Sequence, residues 1–349
     1  MDENELNALL GQLLQDLGGA FSVPLVQIGE RLGLYEMLTD AGPCTAQELA
    51  QKADVNERYL REWLSAQAAS KYIGYDPESD TFFMTAEQSY VFADRSSPVY
   101  MAPGFSAAAA FAQNEPLVRE AFKTGQGIPW GSQTTCLACA VAQFFRPGYE
   151  NHLLQAWLPA LEGGLEKLQS GANVADIGCG HGLTTTMMAK GFPNSQFLGV
   201  DFHEPSIEAA REHAAPLALG NLKFDISSAN AVSGGFDLVT IFDCLHDMGD
   251  PVAAMRHVKE MLGAEGVCMI VEPMAGDSLA ENLNPVGRLY YSGSTMVCVP
   301  TSLAQETGAA LGAQAGEKRL RQLIVEEAGF SSLRRIAETP FNMVLEAKP

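Results

Sequence analysis

The stretch NVADIGCGHG, residues 173–182, decides how the second half of the chain folds. It opens with an apolar run that predicts a buried β-strand, and it continues through glycines at positions 178, 180 and 182. The residues that follow, LTTTMMAK at 183–190, predict a helix. A strand, a glycine loop and a helix in this order form the first turn of a doubly wound α/β domain. Glycine allows the backbone to bend sharply at such a turn and to approach a ligand closely.

The spacing of the glycines indicates which ligand the loop accepts. A dinucleotide-binding loop has its third glycine three residues after its second, and that position here is Leu183. The stretch instead has the pattern acidic-x-Gly-x-Gly-x-Gly, which starts with Asp176 at the end of the predicted strand. A carboxylate there suits a ligand with an ammonium group and would repel a pyrophosphate, which favours S-adenosylmethionine over NAD. The predicted cofactor-binding residues of the loop are Asp176, Gly178, Cys179 and Gly180.

The rest of this half alternates apolar strands with helices. Further strands are predicted at residues 196–200, 222–225, 236–243, 266–273, 332–337 and 341–348. Helices are predicted between and beside them, at 205–215, 250–262 and 319–330. Together with the strand before the glycine loop, this alternation predicts a seven-stranded, mainly parallel sheet of the Rossmann-like, doubly wound class.

Two residues after the second of these strands support the same cofactor. Asp201 ends the strand, 19 residues after Gly182. In this fold an acidic residue at that point accepts hydrogen bonds from ribose hydroxyls. Phe202 follows directly, and its ring can lie against an adenine. Both are predicted cofactor-binding residues.

The run from residue 173 to 349 resembles a class I S-adenosylmethionine-dependent methyltransferase domain. The features that carry the resemblance are DIGCGHG at 176–182, Asp201, FDLV at 236–239 and LGAEGVCMIV at 262–271. The resemblance implies three further cofactor-binding residues. Ser228 and Ala229 stand where this family typically places an Asp-Ala pair that reaches the adenine amine. Phe242 stands where the backbone contacts the methionine part of the cofactor.

Residues 45–85 have the pattern of a winged helix. A capping box from Thr45 to Glu48 opens a helix at 46–53, and a second helix follows at 57–70. Two short strands, at 73–75 and 81–84, then predict a hairpin. This layout resembles the N-terminal dimerisation domain of plant-type and bacterial small-molecule O-methyltransferases, which implies a homodimer.

A winged helix can also bind DNA, through basic and amide side chains on its second helix. The residues predicted to face inward on that helix are Tyr59, Leu60, Trp63 and Leu64. Those predicted to face outward, nearly neutral in sum, are Glu57, Arg58, Arg61, Glu62 and Gln67. The whole chain carries a formal charge of −20. Both observations argue against a nucleic-acid partner.

Length and composition bound the class of protein. A chain of 349 residues exceeds what one core usually fills, so two domains are expected. Its acidic start lacks the features of a signal peptide, and no apolar run has the length of a membrane span. Seven scattered cysteines fit reduced thiols, and the pair Cys136 and Cys139 is predicted to be buried rather than metal-binding. These features predict a cytoplasmic protein with no membrane partner.

We expect three segments in the chain. Residues 1–100 are predicted to form an N-terminal helical and winged-helix domain, 101–168 a helical connector or lid, and 169–349 the cofactor-binding domain. In small-molecule methyltransferases the segment that matches the insertion 274–316 roofs the acceptor pocket. The predicted substrate residues are Tyr149, Tyr290 and Tyr291. One tyrosine of the pair in the insertion could pack inward instead, and the sequence does not decide which.

The first helix carries a broad apolar stripe. Its members are Leu6, Leu9, Leu10, Leu13, Leu14 and Leu17. A stripe of this width is normally buried against a partner. Two partners stay open at this point, the rest of the same domain and a second subunit.

The predicted catalytic residue is His246, just past the fourth strand of the sheet. Methyl transfer to a hydroxyl group needs a base, and a neutral histidine suits physiological pH. The run Leu-His-Asp at 245–247 is similar to a motif of plant caffeic-acid-type and acetylserotonin-type O-methyltransferases, in which the matching histidine is the base. This chain departs from the motif at Met248, where that family has Trp. The alternative role for His246 is to cap the local backbone.

The sequence predicts no metal, because no set of His, Asp or Glu has convincing metal spacing, although Asp243 and Asp247 keep a metal-assisted reaction open. The predicted function is S-adenosylmethionine-dependent O-methylation of a small organic molecule, with His246 as general base. One alternative is N- or C-methylation without a histidine base. Another is a cofactor-sensing regulator that uses its winged helix on DNA.

Overall fold

The computed structural model describes residues 1–134 and 137–349. Its contacts divide the chain into two compact units. The first unit comprises residues 1–112 and 143–151. The second comprises residues 113–142 and 152–349.

The first unit is mainly helical. Its helices are α1 (Glu3–Leu32), α2 (Leu34–Ala41), α3 (Ala46–Ala53), α4 (Glu57–Ala69) and α5 (Ala86–Phe92). Its strands are β1 (Gly74–Asp76) and β2 (Thr81–Phe83). Two longer helices, α6 (Ala102–Thr124) and α7 (Leu137–His152), contribute residues to both units. The segment 101–168, predicted as a separate connector, is therefore shared between the units.

The predicted winged helix is confirmed. Helices α3 and α4 and the antiparallel hairpin β1–β2 follow in the expected order. The Thr45 hydroxyl accepts the N–H of Glu48 at 3.2 Å, and the Glu48 carboxylate accepts the N–H of Thr45 at 2.8 Å. This reciprocal pair is the capping box that the sequence predicts, and it satisfies two backbone donors at the start of α3.

One face of α4 differs from the prediction. Tyr59, predicted to face inward, is 83% exposed, and Gln67, predicted to face outward, is fully buried. The buried positions of α4 follow the three- and four-residue spacing of a helix face, and this spacing includes Gln67. Gln67 Oε1 accepts a hydrogen bond from the Tyr35 hydroxyl at 2.8 Å, which compensates part of the cost of burial, whereas its Nε2 has no partner among the described residues.

Both arginines of α4 are paired with acids. Arg58 lies 2.6 Å from Glu62, and Arg61 lies 2.8 Å from Asp80 in the hairpin turn. Paired arginines present less positive charge to a phosphate than free ones do. That nucleic acid is not a partner stays a prediction, and this pairing favours it.

The leucine stripe of α1 is largely exposed. Of the two partners left open by the sequence, the rest of the same domain is therefore excluded. Leu14 is 70% exposed and Phe21, further along the helix, is 74% exposed. By length and composition alone, helix α1 is also long and apolar enough to cross a membrane, which is weak evidence for a span. Signal sequences and core helices pass the same test, and only 11% of the apolar window of α1 is buried.

The second unit contains the sheet. Its strands are β3 (Asn173–Ile177), β4 (Gln196–Asp201), β5 (Leu222–Ile226), β6 (Phe236–Phe242), β7 (Leu262–Pro273), β8 (Ser332–Glu338) and β9 (Asn342–Lys348). Its helices are α8 (Leu158–Ala160), α9 (Gly164–Ser170), α10 (Leu183–Gly191), α11 (Glu204–Ala214), α12 (Pro251–Met261), α13 (Pro285–Gly293), α14 (Val299–Leu303) and α15 (Gly316–Arg321). Short 3₁₀ turns cover Trp130–Ser132, Ala215–Leu217 and Leu245–Asp247, and π-helical turns cover Leu153–Trp157, Ser294–Cys298 and Gln322–Glu327.

The predicted seven-stranded α/β fold is confirmed. The strand order is β5-β4-β3-β6-β7-β9-β8, in which the first five strands are parallel and β9 and β8 are antiparallel to their neighbours. Strand β7 starts at Leu262, earlier than predicted, because Leu262 pairs with Phe236 across an irregularity in β6. The central strands read as nearly continuous apolar runs because helices cover both faces of such a sheet.

Candidate active site

The strand order of the sheet reverses between β3 and β6. Strand β3 pairs with β4 on one side and with β6 on the other, in parallel in both cases. In open α/β sheets, ligands bind at the carboxyl ends of the strands where the order reverses. Two segments start at this point, the glycine loop 178–182 after β3 and the 3₁₀ turn Leu245–Asp247 just beyond β6. The candidate site therefore lies at this edge of the sheet.

Each glycine of the loop has a left-handed backbone, with φ of +72° at Gly178, +51° at Gly180 and +71° at Gly182. A Cβ at Gly178 would lie 2.4 Å from Cys244 Sγ, and one at Gly182 would lie 2.5 Å from Phe224 Cζ. Glycine is required at these two positions because neighbouring side chains fill the space that a Cβ would occupy. A Cβ at Gly180 would meet nothing within 4 Å. Gly180 therefore faces open space, where a ligand can approach the backbone.

The loop is tied to the end of β4. The N–H of Gly178 donates to the Val200 carbonyl at 2.8 Å. Asp201 Oδ2 accepts the N–H of Gly180 at 3.0 Å, and its Oδ1 accepts the N–H of His203 at 2.9 Å. Burial raises the pKa of Asp201 above its usual range. One carboxylate thus orders both the glycine loop and the turn after β4.

Asp176 has a different surrounding from the one the sequence predicts. Its carboxylate is 0% exposed, and it accepts hydrogen bonds from the hydroxyls of Thr185 at 2.6 Å, Thr184 at 2.8 Å and Thr240 at 3.0 Å. Burial raises the pKa of Asp176 to about 6, against the three hydroxyls that lower it. Neither oxygen of this carboxylate is exposed, so Asp176 cannot make the predicted contact with an ammonium group of the ligand. Asp176 instead ties the start of α10 to β3 and β6.

The other predicted cofactor residues differ in exposure. Phe202 is 55% exposed, so its ring is available for stacking. Ser228 is exposed and Ala229 is half-buried. Cys179 and Phe242 are 8% and 7% exposed, so little of either side chain can meet a ligand. Contacts between these residues and a cofactor stay predictions.

His246 is held by two carboxylates. It is 4% exposed, and its Nδ1 lies 2.6 Å from Glu272 Oε2 near the end of β7. Its Nε2 lies 3.2 Å from Asp247 Oδ1. Glu272 is itself fixed, because its Oε1 accepts the N–H of Leu245 at 3.1 Å. With a proton held on Nδ1, the neutral ring carries its lone pair on Nε2.

The sequence-based prediction assumes a neutral His246, and the structure favours the charged form. Burial lowers the pKa of His246, but Glu272 and then Asp247 outweigh burial and hold the pKa well above 6.5. These carboxylates favour the imidazolium over the neutral ring that the prediction used. Their presence also makes the neutral ring a stronger base than a free histidine, since they stabilise the cation that forms when it accepts a proton.

Cys298, in the insertion 274–316, approaches the same group. Its Sγ, His246 Nε2 and Asp247 Oδ1 lie within 4.8 Å of one another. Burial and the nearby Asp247 raise the pKa of the Cys298 thiol to about 12. Asp247 Oδ1 is buried and accepts no hydrogen bond from the described parts of the chain.

Sequence reasoning missed Glu272 and Cys298. Glu272 follows the apolar run VCMIV at 267–271, and a carboxylate at the carboxyl end of a strand beside β6 is a signal that could have found it. Cys298 lies more than fifty residues after His246 in the chain. No local pattern marks Cys298, because only the folded insertion brings it to the site.

The three predicted substrate tyrosines fall in different surroundings. Tyr290 is 6% exposed, and its hydroxyl donates to the Phe341 carbonyl at 2.7 Å, so it packs inward. Tyr291 stays partly exposed, which favours it for stacking on an acceptor. Tyr149 belongs to the first unit, where it is 7% exposed and stacks on Phe145 with ring centroids 6.0 Å apart. The substrate role of Tyr149 stays a prediction.

The cysteine pair predicted to be buried is only partly described. Cys136 lies outside the residues that the structure describes. Cys139 is exposed, so the prediction of burial is wrong for it. Helix α7 turns this position toward solvent rather than toward the core.

Comparison with known families identifies both parts of the chain. The family described as "Methyltransferase domain" matches residues 168–329, a range that includes the glycine loop, Asp201 and His246. Residues 168–329 are a methyltransferase domain. The family described as "Rv2258c-like winged HTH domain" matches residues 20–94. The predicted combination of a winged helix with a methyltransferase domain is confirmed.

Curated relatives match the methyltransferase domain in part. Ubiquinone biosynthesis O-methyltransferase of Acinetobacter baylyi is 28% identical over 127 residues, which cover 35% of this chain and 51% of that protein. Trans-aconitate 2-methyltransferase of Deinococcus radiodurans is 31% identical over 112 residues, which cover 32% and 42% of the two chains. The chain thus spans about half the length, or less, of these relatives.

Solved structures match the chain over nearly its whole length. An O-methyltransferase family protein from Burkholderia thailandensis has a TM-score of 0.68 and 18% identity, and it covers 100% of this chain and 98% of its own. Human N-acetylserotonin methyltransferase, solved in complex with S-adenosylmethionine, has a TM-score of 0.69 and 14% identity, with the same coverage of both chains. At these identities the likeness establishes the fold that accompanies the methyltransferase domain.

Proposed function

We propose that this protein transfers a methyl group from S-adenosylmethionine to an oxygen atom of a small organic molecule, with His246 as general base. The observation that carries the proposal is the meeting of the glycine loop, Asp201 and the His246–Glu272 pair at one reversal of strand order in a methyltransferase domain. Ubiquinone biosynthesis O-methyltransferases among the relatives support an oxygen acceptor.

The residues at the carboxyl edge of the sheet fit this cofactor. The backbone at Gly180 is open to a ligand, Asp201 stands at the end of β4, and the ring of Phe202 is exposed. When bound, S-adenosylmethionine supplies a methyl group that its sulfonium makes electrophilic. The residues that would hold it are Gly178, Cys179, Gly180, Asp201, Phe202, Ser228, Ala229 and Phe242. Asp176 would not contact the cofactor and would act indirectly, by fixing the shape of the loop.

The proposed base works through its two ring nitrogens. Glu272 holds the Nδ1 proton and thereby orients the ring, as the 2.6 Å contact requires. In the neutral form of the ring, which these carboxylates make the less populated one before reaction, Nε2 accepts the proton of the acceptor hydroxyl, and both carboxylates stabilise the imidazolium that results. A positioned base of this kind contributes roughly 10²–10⁴-fold in rate.

The acceptor is proposed to bind beneath the insertion 274–316. Tyr291 is the partly exposed ring of that segment, and it can stack on an aromatic or lipophilic acceptor. Tyr149 is proposed to help close the site. These assignments rest on the resemblance to small-molecule O-methyltransferases and on the exposure of Tyr291.

The proposed assembly is a homodimer in the cytoplasm. The exposed face of α1 presents Leu10, Leu14, Leu17 and Phe21 at helical spacing, and such a contiguous apolar face favours a protein partner. The six described cysteines are free thiols, which suits a reducing compartment.

The test of the function uses the purified chain with a panel of phenols, aliphatic alcohols and amines, and it measures release of S-adenosylhomocysteine. We expect turnover with an oxygen acceptor, and we expect His246→Ala to lower kcat at least about 100-fold without changing cofactor affinity. His257→Ala is the matched control, because His257 lies on α12 and contacts the Val232 carbonyl. Undiminished turnover of a hydroxyl acceptor by His246→Ala would refute the base.

A further inference from the structure

Three side chains of different chemistry converge beside the proposed base. His246 Nε2, Asp247 Oδ1 and Cys298 Sγ lie within 4.8 Å of one another. The first two belong to the 3₁₀ turn Leu245–Asp247, and the third ends the π-helical turn Ser294–Cys298 of the insertion 274–316. An imidazole nitrogen, a carboxylate oxygen and a cysteine sulfur, which loses its proton when it binds the metal, are donor types that zinc prefers in proteins. We propose that His246, Asp247 and Cys298 bind Zn²⁺.

The separations fit a tetrahedral ion. Two nitrogen or oxygen ligands about 2.0–2.2 Å from zinc stand about 3.3 Å apart, and His246 Nε2 lies 3.2 Å from Asp247 Oδ1. That pair of atoms does not form a hydrogen bond, since Asp247 Oδ1 accepts none from the described residues. Without a metal, this oxygen is balanced only by the His246 ring 3.2 Å away, with no aligned hydrogen bond to it. A bound cation would contact this oxygen directly in place of the Nε2 proton.

Glu272 holds the second ring nitrogen of His246, as carboxylates commonly do behind a metal-binding histidine. Histidines that bind metals usually donate their other N–H to a carboxylate, which fixes the tautomer and the ring orientation. Glu272 accepts at Nδ1 over 2.6 Å and is itself held by the N–H of Leu245. This pairing aims Nε2 toward Asp247 and Cys298.

Zinc at this position has a consequence that rests on the proposed function. The lone pair of Nε2 cannot bind a metal and accept the proton of a hydroxyl at the same time. Occupancy by zinc therefore stops base-assisted methyl transfer. A site with three protein ligands keeps an exchangeable fourth position, and a chelator that lowers the free Zn²⁺ concentration should restore turnover.

Metal binding is tested with Co²⁺ alone on the untagged full-length chain after treatment with a chelator. Co²⁺ bound by a thiolate in a tetrahedral site gives intense visible bands and a sulfur-to-metal charge-transfer band. We expect both to saturate at one equivalent and to disappear when Zn²⁺ is added. The weak spectrum of octahedral Co²⁺, or bands that do not saturate, would overturn the site.

Variants assign the ligands. Cys298→Ser should remove the charge-transfer band, and Asp247→Asn should weaken Co²⁺ binding while the band remains. Glu272→Gln should weaken binding by about 10–100-fold, the usual effect of losing the carboxylate behind a ligating histidine. Cys139→Ser is the matched control, since that thiol is exposed on α7. A band that survives in Cys298→Ser contradicts the assignment, and thermal unfolding midpoints show whether each variant is folded.

Inhibition is measured separately from binding. Each variant is compared with its own metal-free rate, at Zn²⁺ concentrations that the Co²⁺ competition defines. We expect turnover of the wild type to fall in proportion to occupancy and to return with chelator. Full turnover at full occupancy would overturn the inhibition. If no acceptor is ever turned over, the Co²⁺ spectra still decide the metal site, so the two proposals fail independently.

Discussion

Replacing Gly180 with alanine tests whether the glycine loop faces a ligand. In the structure its φ is +51°, and a Cβ there would meet nothing within 4 Å. The left-handed backbone costs an alanine roughly 1–2 kcal/mol, which is small beside the 5–15 kcal/mol of a typical domain. The variant should therefore fold. If the cofactor lies against this backbone, the added methyl group takes space that the ligand needs, and the dissociation constant should rise at least about tenfold, or about 1.4 kcal/mol.

The matched comparison is Gly182→Ala in the same loop. Its Cβ would lie 2.5 Å from Phe224 Cζ and 2.9 Å from Ala210 Cβ, at a φ of +71°. Overpacking of this kind costs about 1–3 kcal/mol in addition to the backbone term. Calorimetry with S-adenosylhomocysteine and urea unfolding should separate the two variants. Gly180→Ala should lose affinity at nearly normal stability, and Gly182→Ala should lose mainly stability. Wild-type affinity in Gly180→Ala would refute the placement of the ligand.

Three further perturbations follow from the structure. Burial raises the folded pKa of Asp176 from 3.8 to about 6, so its contribution to stability is complete below pH 3.8 and is lost as pH rises through 6. In urea unfolding, the stability of the wild type relative to Asp176→Asn should therefore fall by about 2 kcal/mol between pH 4 and pH 7, and a constant difference would contradict this ionisation. Leu14→Glu on the exposed face of α1 should yield a monomer in analytical ultracentrifugation, whereas a wild-type chain that is monomeric, or that floats with lipid vesicles, would exclude the dimer. Gly29→Ala should destabilise the first unit by about 1–3 kcal/mol, because its Cβ would lie 2.5 Å from Trp63 Cζ2. An unchanged midpoint of thermal unfolding would show that the Trp63 ring can move to make room.

The sequence predicts the sheet well because the information is local. Apolar runs, the glycine spacing and the capping box at Thr45 each depend on residues within a few positions of one another, and all of them appear in the structure as expected. The domain pairing was also predictable, since both patterns are contiguous. What periodicity does not give is the direction of single side chains near the edge of a helix face. Tyr59 and Gln67 on α4 were assigned to the wrong sides for that reason.

The details of the site depend on contacts that are distant in sequence. Asp176 is sealed by Thr240, which arrives on a neighbouring strand, and by two threonines of the helix after the loop. The pattern alone shows an acidic residue at a strand end and does not show what covers it. Glu272 reaches His246 because β7 pairs with β6. That adjacency follows from the family's sheet order, so this contact was within reach of a topological argument, unlike the contact of Cys298.

We expect the electrostatics of the site to select among cofactors. Burial raises the pKa of the Cys244 thiol, and four carboxylates add to the effect, namely Glu272, Asp201, Asp247 and Asp176. Cys244 borders the glycine loop, since its Sγ is the atom that a Cβ at Gly178 would strike. The imidazolium of His246 offsets one of these charges, so the field beside the loop stays negative. Such a field attracts a sulfonium and repels a pyrophosphate. Calorimetry should therefore detect binding of S-adenosylmethionine and none of NAD, and an NAD complex of similar affinity would show that these buried carboxylates do not choose the ligand.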